Sequence, residues 1–311
     1  MSRKDVVEAA KRISGLVKVT PLVESRISGR KVWLKCECLQ TGRAFKLRGA
    51  TNRLLQISAE QRSRGVVAFS SGNHAQGVAI AAKRLGIPAV IVMPSDAPAV
   101  KVEATRSHGA QIVFYDRRTE AREALAQRLA EERGAVVVPS FDDPAIVAGQ
   151  GTVGLEILEQ MPVPVQRILA PCGGGGLASG IALACEDADI VISEPDGWDD
   201  MKRSLETGEI VPVEPDAPST LCDALQTPRV SPITFAILRD RKAEAVSVSD
   251  WEVEDAIRFA WSEHELVVEP GGAAALAALL CGKVPPSEGC VVVISGGNID
   301  PELHSRIIAG R

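Results

Sequence analysis

Pro171-Cys172-Gly173-Gly174-Gly175-Gly176-Leu177-Ala178-Ser179-Gly180 is the stretch whose reading decides the fold of this 311-residue chain. An apolar run, Arg167-Ile168-Leu169-Ala170, enters it, and a small-residue run over 177–185 leaves it. That is a strand feeding a tight loop feeding a helix. Glycines let a backbone approach an anion closely, and a helix N-terminus offers free N–H groups and the positive end of its dipole. One glycine at such a junction reads as a crowded turn. Four in a row favour a phosphate cradle.

Outward from this block, strands and helices alternate. Upstream, residues 66–69, 89–93, 111–115 and 135–138 read as short apolar strands, with helices expected over 76–85, 99–107 and 119–133. Downstream, a helix runs from 144 to 160, strands follow at 190–192, 243–248 and 290–294, and helices at 251–265 and 273–280. The N-terminal part reads as a helix over 5–17, a strand over 31–37 and a helix over 45–55, while 198–230 reads as irregular and polar. Short apolar strands separated by helices imply parallel pairing with helices on both faces, hence an α/β fold.

Composition narrows the function classes. The chain is 45% hydrophobic and 24% charged, ordinary values for a globular protein. A net charge of −5, with 4% aromatics, gives no footprint for nucleic acid, and no polybasic segment suggests a membrane surface. The seven cysteines include no CxxC pair, so neither a disulfide framework nor a zinc site is expected, and reduced buried thiols are the better reading. Without an apolar leader, and without a run near the roughly 18 residues a bilayer span needs, a cytoplasmic protein is expected.

Three further stretches could carry chemistry. Ser70-Ser71-Gly72-Asn73-His74 lies where a parallel strand ends and a helix begins, the place where open α/β sheets bind ligands. Hydroxyls, an amide and N–H groups there suit a carboxylate or phosphate, and equally a helix cap. A serine-hydrolase reading fails, since no GxSxG elbow is present. Lys46, flanked by Phe45, Leu47 and Ala50, has neighbours able to desolvate its amine and lower its pKa, as Schiff-base chemistry requires. Ser295-Gly296-Gly297-Asn298 is a second glycine turn, after the last strand.

The glycine block has a rival reading. Gly173-x-Gly175-x-x-Ala178 fits a loose dinucleotide fingerprint, and Glu194 ends the next strand where a ribose-binding acid would lie. An NAD-linked oxidoreductase would satisfy both, but it leaves Lys46, Ser71 to His74 and Ser295 unexplained. A non-catalytic binding protein is a more distant alternative.

Taken together, Ala44-Phe45-Lys46-Leu47-Arg48-Gly49-Ala50, Ser70-Ser71-Gly72-Asn73-His74-Ala75-Gln76, the four glycines and Ser295 to Asn298 appear in one order. In that order they resemble the serine/threonine dehydratase and serine racemase group of fold-type II pyridoxal-phosphate enzymes, across nearly the whole chain. The resemblance implies two open, mostly parallel sheets flanked by helices, with the cofactor between a large domain (1–64 plus 143–311) and a small substrate-clamping domain (65–142). It implies that Lys46 carries pyridoxal phosphate as a Schiff base and that Phe45 packs on the ring. By the same likeness Gly173, Gly174, Gly175 and Gly176 hold the phosphate, with Leu177 opening the helix. Asn73 bonds the ring oxygen, Ser295 faces the pyridine nitrogen, and Glu269 lies nearby. Ser70, Ser71, Gly72 and His74 receive the substrate carboxylate.

The activity so implied is dehydration and deamination of a small β-hydroxy amino acid such as threonine or serine to a 2-oxo acid and ammonia. Lys46 takes the Cα proton. Ser71 matches the hydroxyl that faces the other side of Cα in racemases, so a serine or aspartate racemase is the alternative within the class. Glu194, Trp198 and Asp200 match the family's divalent cation site, for Mg²⁺ or Ca²⁺, and otherwise read as a solvated acidic loop. A homodimer is expected.

Two departures stand out. The order Thr41-Gly42-Arg43-Ala44 puts an arginine where the family has a second small residue. Arg43 either faces solvent or favours a substrate with a second acidic group, such as 3-hydroxyaspartate. Arg122 also falls where some members place a carboxylate-binding arginine. The chain ends soon after the last motif, so feedback by isoleucine through a regulatory domain is not expected.

Overall fold

The computed structural model of the chain describes residues 1–97, 99–116 and 118–310, and in it the expected alternation becomes two sheets. Helix α1 (Arg3–Ile13) leads to strands β1 (Leu22–Ile27) and β2 (Arg30–Cys36), then to helices α2 (Lys46–Leu55) and α3 (Ala59–Arg64). Strands β3 (Val66–Phe69), β4 (Ala89–Pro94), β5 (Gln111–Tyr115) and β6 (Val136–Val137) alternate with helices α4 (Asn73–Leu85), α5 (Ala99–Ser107) and α6 (Arg122–Arg133). Helix α7 (Pro144–Gln160), strand β7 (Arg167–Pro171), helix α8 (Gly176–Ala184) and strand β8 (Asp189–Pro195) follow. The chain then runs through α9 (Asp200–Thr207), α10 (Pro232–Asp240), β9 (Glu244–Val248), α11 (Asp250–His264), α12 (Pro270–Leu280), β10 (Cys290–Ile294) and α13 (Pro301–Ile308).

Strands order as β1-β2-β10-β7-β8-β9 in the larger sheet and β5-β4-β3-β6 in the smaller. Among the described residues only β1 and β2 pair antiparallel, and all other neighbouring strands are parallel. Parallel strands buried on both faces need apolar residues at every position, and β10, Cys290 to Ile294, is buried throughout. Alternation divides it: Val292 and Ile294 pack with α11 and α12, while Val291 and Val293 pack with α7, α8 and α10. In the smaller sheet Ala68 and Ile91 face α4, whereas Val67 and Val92 face α6.

Several expectations are corrected. Helix α1 stops at Ile13 rather than 17, because Gly15 turns the chain at φ 76°. Residues 198–230 are not irregular throughout: α9 forms there, burying Met201 and ending at Gly208 with φ 79°. Strand β1 escapes a pattern reading because it is an edge strand with only Ser25 and Ile27 buried. Helix α6 starts at Arg122, not 119, and the fourth small strand shrinks to two residues. All seven cysteines are free and six are buried. Among the described residues no helix is long and apolar enough to cross a membrane.

Candidate active site

The carboxyl ends of β3, β6, β7 and β10 open onto one cavity of about 630 Å³. Phe45 and Lys46, residues 69–74, 139–142, 173–177 and 223–232, Glu269 and Ser295 line it. Stretches distant in sequence thus meet where parallel sheets present ligand sites.

Lys46 is the first residue of α2, half-buried, with its Nζ 3.1 Å from the Ser140 carbonyl and 5.1 Å from the Phe45 ring centre. The backbone holds this start in place: Phe45 N–H bonds the Ser295 carbonyl at 3.2 Å, and Ala44 bridges Gly296. Burial lowers the amine to about 8, the Glu269 carboxylate opposing the shift. A lysine near 8 is partly neutral at physiological pH, as a nucleophile and a base must be.

The glycine block is the turn expected. Gly175 adopts the left-handed region at φ 81° and caps α8, whose first intrahelical bond comes from Ser179 N–H to the Gly175 carbonyl at 2.9 Å. The N–H groups of Gly176, Leu177 and Ala178 precede that bond and have no partner within the helix. Gly176 and Leu177 stand at the cavity wall, so this helix start offers unpaired donors of the kind an anion favours.

Asn73 opens α4, and its Nδ2 donates to Glu269 Oε1 at 2.5 Å while its Oδ1 accepts from Asn298 Nδ2 at 2.8 Å. Asn298 also donates to the Gly42 carbonyl at 2.9 Å. Burial pushes the Glu269 carboxyl up to about 7, against the bond from Asn73. Among the described residues the Ser295 hydroxyl has no protein partner, and it lines the cavity. A neutral hydroxyl there does not impose a charge on a ring nitrogen.

Ser70, Ser71 and Gly72 stand on the wall at the N-terminus of α4, with Ser70 Oγ accepting from Gly72 N–H at 3.2 Å. His74 departs from expectation. Its Nε2 donates to the Val138 carbonyl at 2.9 Å, and burial, with Lys46 adding to it, lowers the ring to about 3. The imidazole is therefore neutral with an acceptor at Nδ1, which has no partner, so it cannot donate to a carboxylate. The Ser70 and Ser71 hydroxyls and the α4 N-terminus remain on the wall as donors an anion could meet.

Arg122 lines the cavity, its guanidinium 5.7 Å from the Phe69 ring centre and its Nε 2.8 Å from Glu123. Arg43 does not line it. It is exposed, at φ 56°, and its carbonyl accepts from Gly297 N–H at 2.8 Å. Of the two arginines singled out in the sequence, Arg122 is the one on the cavity wall.

Glu194, on β8, and Asp200, the first residue of α9, are fully buried. Glu194 accepts from Met201 and Lys202 N–H at 3.0 and 2.8 Å, which removes it from any ribose and ends the dinucleotide reading. Burial, and then Asp200, hold Glu194 well above the usual carboxylate range; burial pushes Asp200 up to about 7. Neither Asp200 oxygen has a hydrogen-bond partner of sound geometry. Two adjacent buried carboxylates, one of them with no hydrogen-bond partner, are hard oxygen donors of the kind a divalent ion takes, so part of such a ligand set is present. Trp198 is half-buried nearby, its Nε1 bonded to the Pro218 carbonyl at 2.8 Å. Among the described residues no group of three or more His, Cys, Asp or Glu could hold a metal.

Sequence reasoning missed Gln76, the 139–142 segment and the 223–232 loop, all on the cavity wall. Gln76 follows the serine-rich motif by one helical turn of α4, a spacing that could have marked it. The other two lie in irregular chain with no periodic signal.

The residues fit a phosphorylated pyridine aldehyde: an amine able to form a Schiff base, an anion seat, and a neutral hydroxyl share one cavity. Comparison with known proteins agrees. The family profile described as pyridoxal-phosphate dependent enzyme matches residues 13–296. The L-threo-3-hydroxyaspartate ammonia-lyase of a Pseudomonas species is 43% identical, over 99% of both chains. Maize serine racemase superposes with a TM-score of 0.92 at 37% identity, covering 99% of this chain and 97% of its own. The serine racemase of Dictyostelium discoideum superposes at 0.89 with 34% identity, covering 96% and 99%. The L-threonine ammonia-lyase of Thermotoga maritima is 39% identical, over 98% of this chain and 77% of its own.

Proposed function

The chain belongs to the pyridoxal-phosphate-dependent enzymes, and on that premise we propose that it eliminates water from a small β-hydroxy amino acid, with 3-hydroxyaspartate the preferred substrate. The observation that carries this reading is the shared cavity of Lys46, the glycine turn and Arg122. The likeness to an L-threo-3-hydroxyaspartate ammonia-lyase supports it.

Bound pyridoxal phosphate supplies an electron sink for the carbanion formed at Cα. The chain's own groups do the rest. Ser70, Ser71 and the α4 N-terminus hold the α-carboxylate, as helix N-termini favour anions. Arg122, stacked on Phe69, has terminal amino groups free to take a second carboxylate by a two-point bond. Lys46 removes the Cα proton at Nζ, the electron pair left at Cα forms the Cα–Cβ double bond as the Cβ–O bond breaks, and the Nζ proton passes to the departing β-hydroxyl, which leaves as water. The enamine released hydrolyses to a 2-oxo acid and ammonia. Phe45, Asn73, Glu269, Ser295, the four glycines and Leu177 would hold the cofactor, and Glu194, Asp200 and a Trp198 backbone oxygen would supply hard oxygen donors to Mg²⁺ or Ca²⁺.

Racemisation is a second reading, favoured by Ser71, whose hydroxyl has no protein partner among the described residues and lines the same cavity as Lys46. We assign residues 65–142 to a small clamping domain and 1–64 plus 143–311 to a large one, on the strength of the two separate sheets. Seven free cysteines support a reducing, cytoplasmic setting, and the exposed Val19 and Leu39 offer apolar surface to a second copy in a homodimer. The test is a panel of L- and D-serine, threonine and 3-hydroxyaspartate, following 2-oxo acid. A kcat/KM for L-threo-3-hydroxyaspartate at least about tenfold above that for serine supports the reading, as one charged contact allows; equal values overturn the preference.

A further inference from the structure

Between β6 and α7 the chain crosses once from the smaller sheet to the larger, through residues 138–143, and this strap touches each reactive part of the cavity. The Val138 carbonyl accepts from His74 at 2.9 Å, and the Ser140 carbonyl accepts from Lys46 Nζ at 3.1 Å. At the far end Asp143 caps α7 through Ala145 and Ile146 N–H and pairs with Arg53 of α2 at 2.7 Å. Between these anchors Phe141 lies on the glycine turn. A Cβ built on Gly174 would fall 2.3 Å from two Phe141 ring carbons, and one on Gly176 would fall 3.1 Å from Phe141 Cβ. Gly174 is outside the left-handed region that Gly175 occupies, so its backbone does not demand glycine. The ring does.

We propose that Phe141 is a positioning residue: seated on Gly174, its ring locks the strap so that the Val138 carbonyl fixes the His74 ring and the Ser140 carbonyl fixes Lys46, the group that moves the proton. Gly174 then lacks a side chain because the Phe141 ring occupies the space a Cβ would need, while its backbone stays part of the cavity wall. The kinetic half of this inference rests on the elimination reading; the packing half does not.

Five forms of the full chain test it: wild type, Phe141→Ala, Phe141→Tyr, Gly174→Ala and the double variant Phe141→Ala/Gly174→Ala. Each is melted without added cofactor, then loaded and assayed. Contacting residues couple in a double-mutant cycle. Gly174→Ala alone should lower Tm, and the double variant should recover most of that loss. Misplacing a base by about 1 Å costs up to about 100-fold, so Phe141→Ala should lower kcat about 10- to 100-fold with KM within about threefold. Phe141→Tyr, which keeps the ring, should restore kcat. A double variant no more stable than Gly174→Ala, or an unchanged kcat in Phe141→Ala, overturns the proposal. If wild type turns over no hydroxy amino acid, the elimination reading fails by itself, and the melting arm still decides whether Phe141 sits on Gly174.

Discussion

Asn73 donates its side-chain amide to Glu269 at 2.5 Å, tying the first turn of α4 to the residue that caps α12. The bond keeps a buried carboxylate close enough to Lys46 to favour its ammonium form, against the desolvation that lowers it to about 8. The two effects set the amine's readiness to attack an aldehyde.

Capture of pyridoxal phosphate by the unloaded chain should therefore accelerate as pH rises, with a midpoint near 8, because only the neutral amine is nucleophilic. Glu269→Gln removes the anion that holds the proton on Lys46, so the midpoint should move to lower pH. Stopped-flow absorbance over a pH series measures it; an unmoved midpoint would show that Glu269 does not act on the amine.

Arg122→Gln keeps a polar side chain at the cavity wall but removes the charge stacked on Phe69. A lost charge-assisted bond is worth about 1.5–3 kcal/mol, so kcat/KM for 3-hydroxyaspartate should fall about 10- to 100-fold. Serine, with no second carboxylate, should lose little. Steady-state kinetics on both substrates read the ratio, and an equal loss on both would remove Arg122 from side-chain recognition.

Two residues beyond Lys46, Arg48 is fully buried and bonds Glu37 twice, at 2.7 and 2.8 Å, and Glu156 at 2.6 Å. Lys35, also buried, pairs with Glu156 at 2.6 Å, completing two positive and two negative charges. Breaking a buried pair from one side costs about 3–5 kcal/mol, so Arg48→Met should destabilise the chain by that order in urea melts. A loss below about 1 kcal/mol, the surface-pair range, would mean water reaches the network.

Glu194 and Asp200 have folded-state pKa values raised above the unfolded ones, Asp200 to about 7. Carboxyls so shifted favour folding while protonated, and that stability drains away as pH rises through the folded value. Without divalent cation, Tm should fall between pH 6 and pH 8; Mg²⁺ or Ca²⁺ should restore it more at pH 8 than at pH 6. Asp200→Asn should raise Tm at pH 8 and remove the cation response. A cation effect equal at both pH values, or surviving in Asp200→Asn, would contradict this account of the pair.

Much of the site is legible from residue types alone. The glycine turn, Lys46 at the head of a helix and the serine-rich strand end are each read from residue type at a junction, and the structure brings all of them to one cavity. Their geometry is local: a strand, a turn and the next helix N-terminus. His74 escapes such a reading because its role depends on a carbonyl 64 residues away, which fixes the tautomer. Phe141 escapes it because its partner, Gly174, lies across the crossing between sheets, and no spacing encodes that contact. Arg43 stays ambiguous in sequence, facing solvent or substrate, and its exposure away from the cavity agrees with the solvent reading, Gly42 and Arg43 both turning at positive φ.

The central claim is elimination at this cavity. The most direct measurement loads the full chain with pyridoxal phosphate, supplies L-threo-3-hydroxyaspartate, and quantifies ammonia, 2-oxo acid and inverted amino acid in one reaction. The account predicts ammonia and 2-oxo acid in equal amounts, exceeding the inverted isomer by at least about tenfold, a barrier difference near 1.4 kcal/mol. Inverted amino acid in excess of ammonia would contradict it.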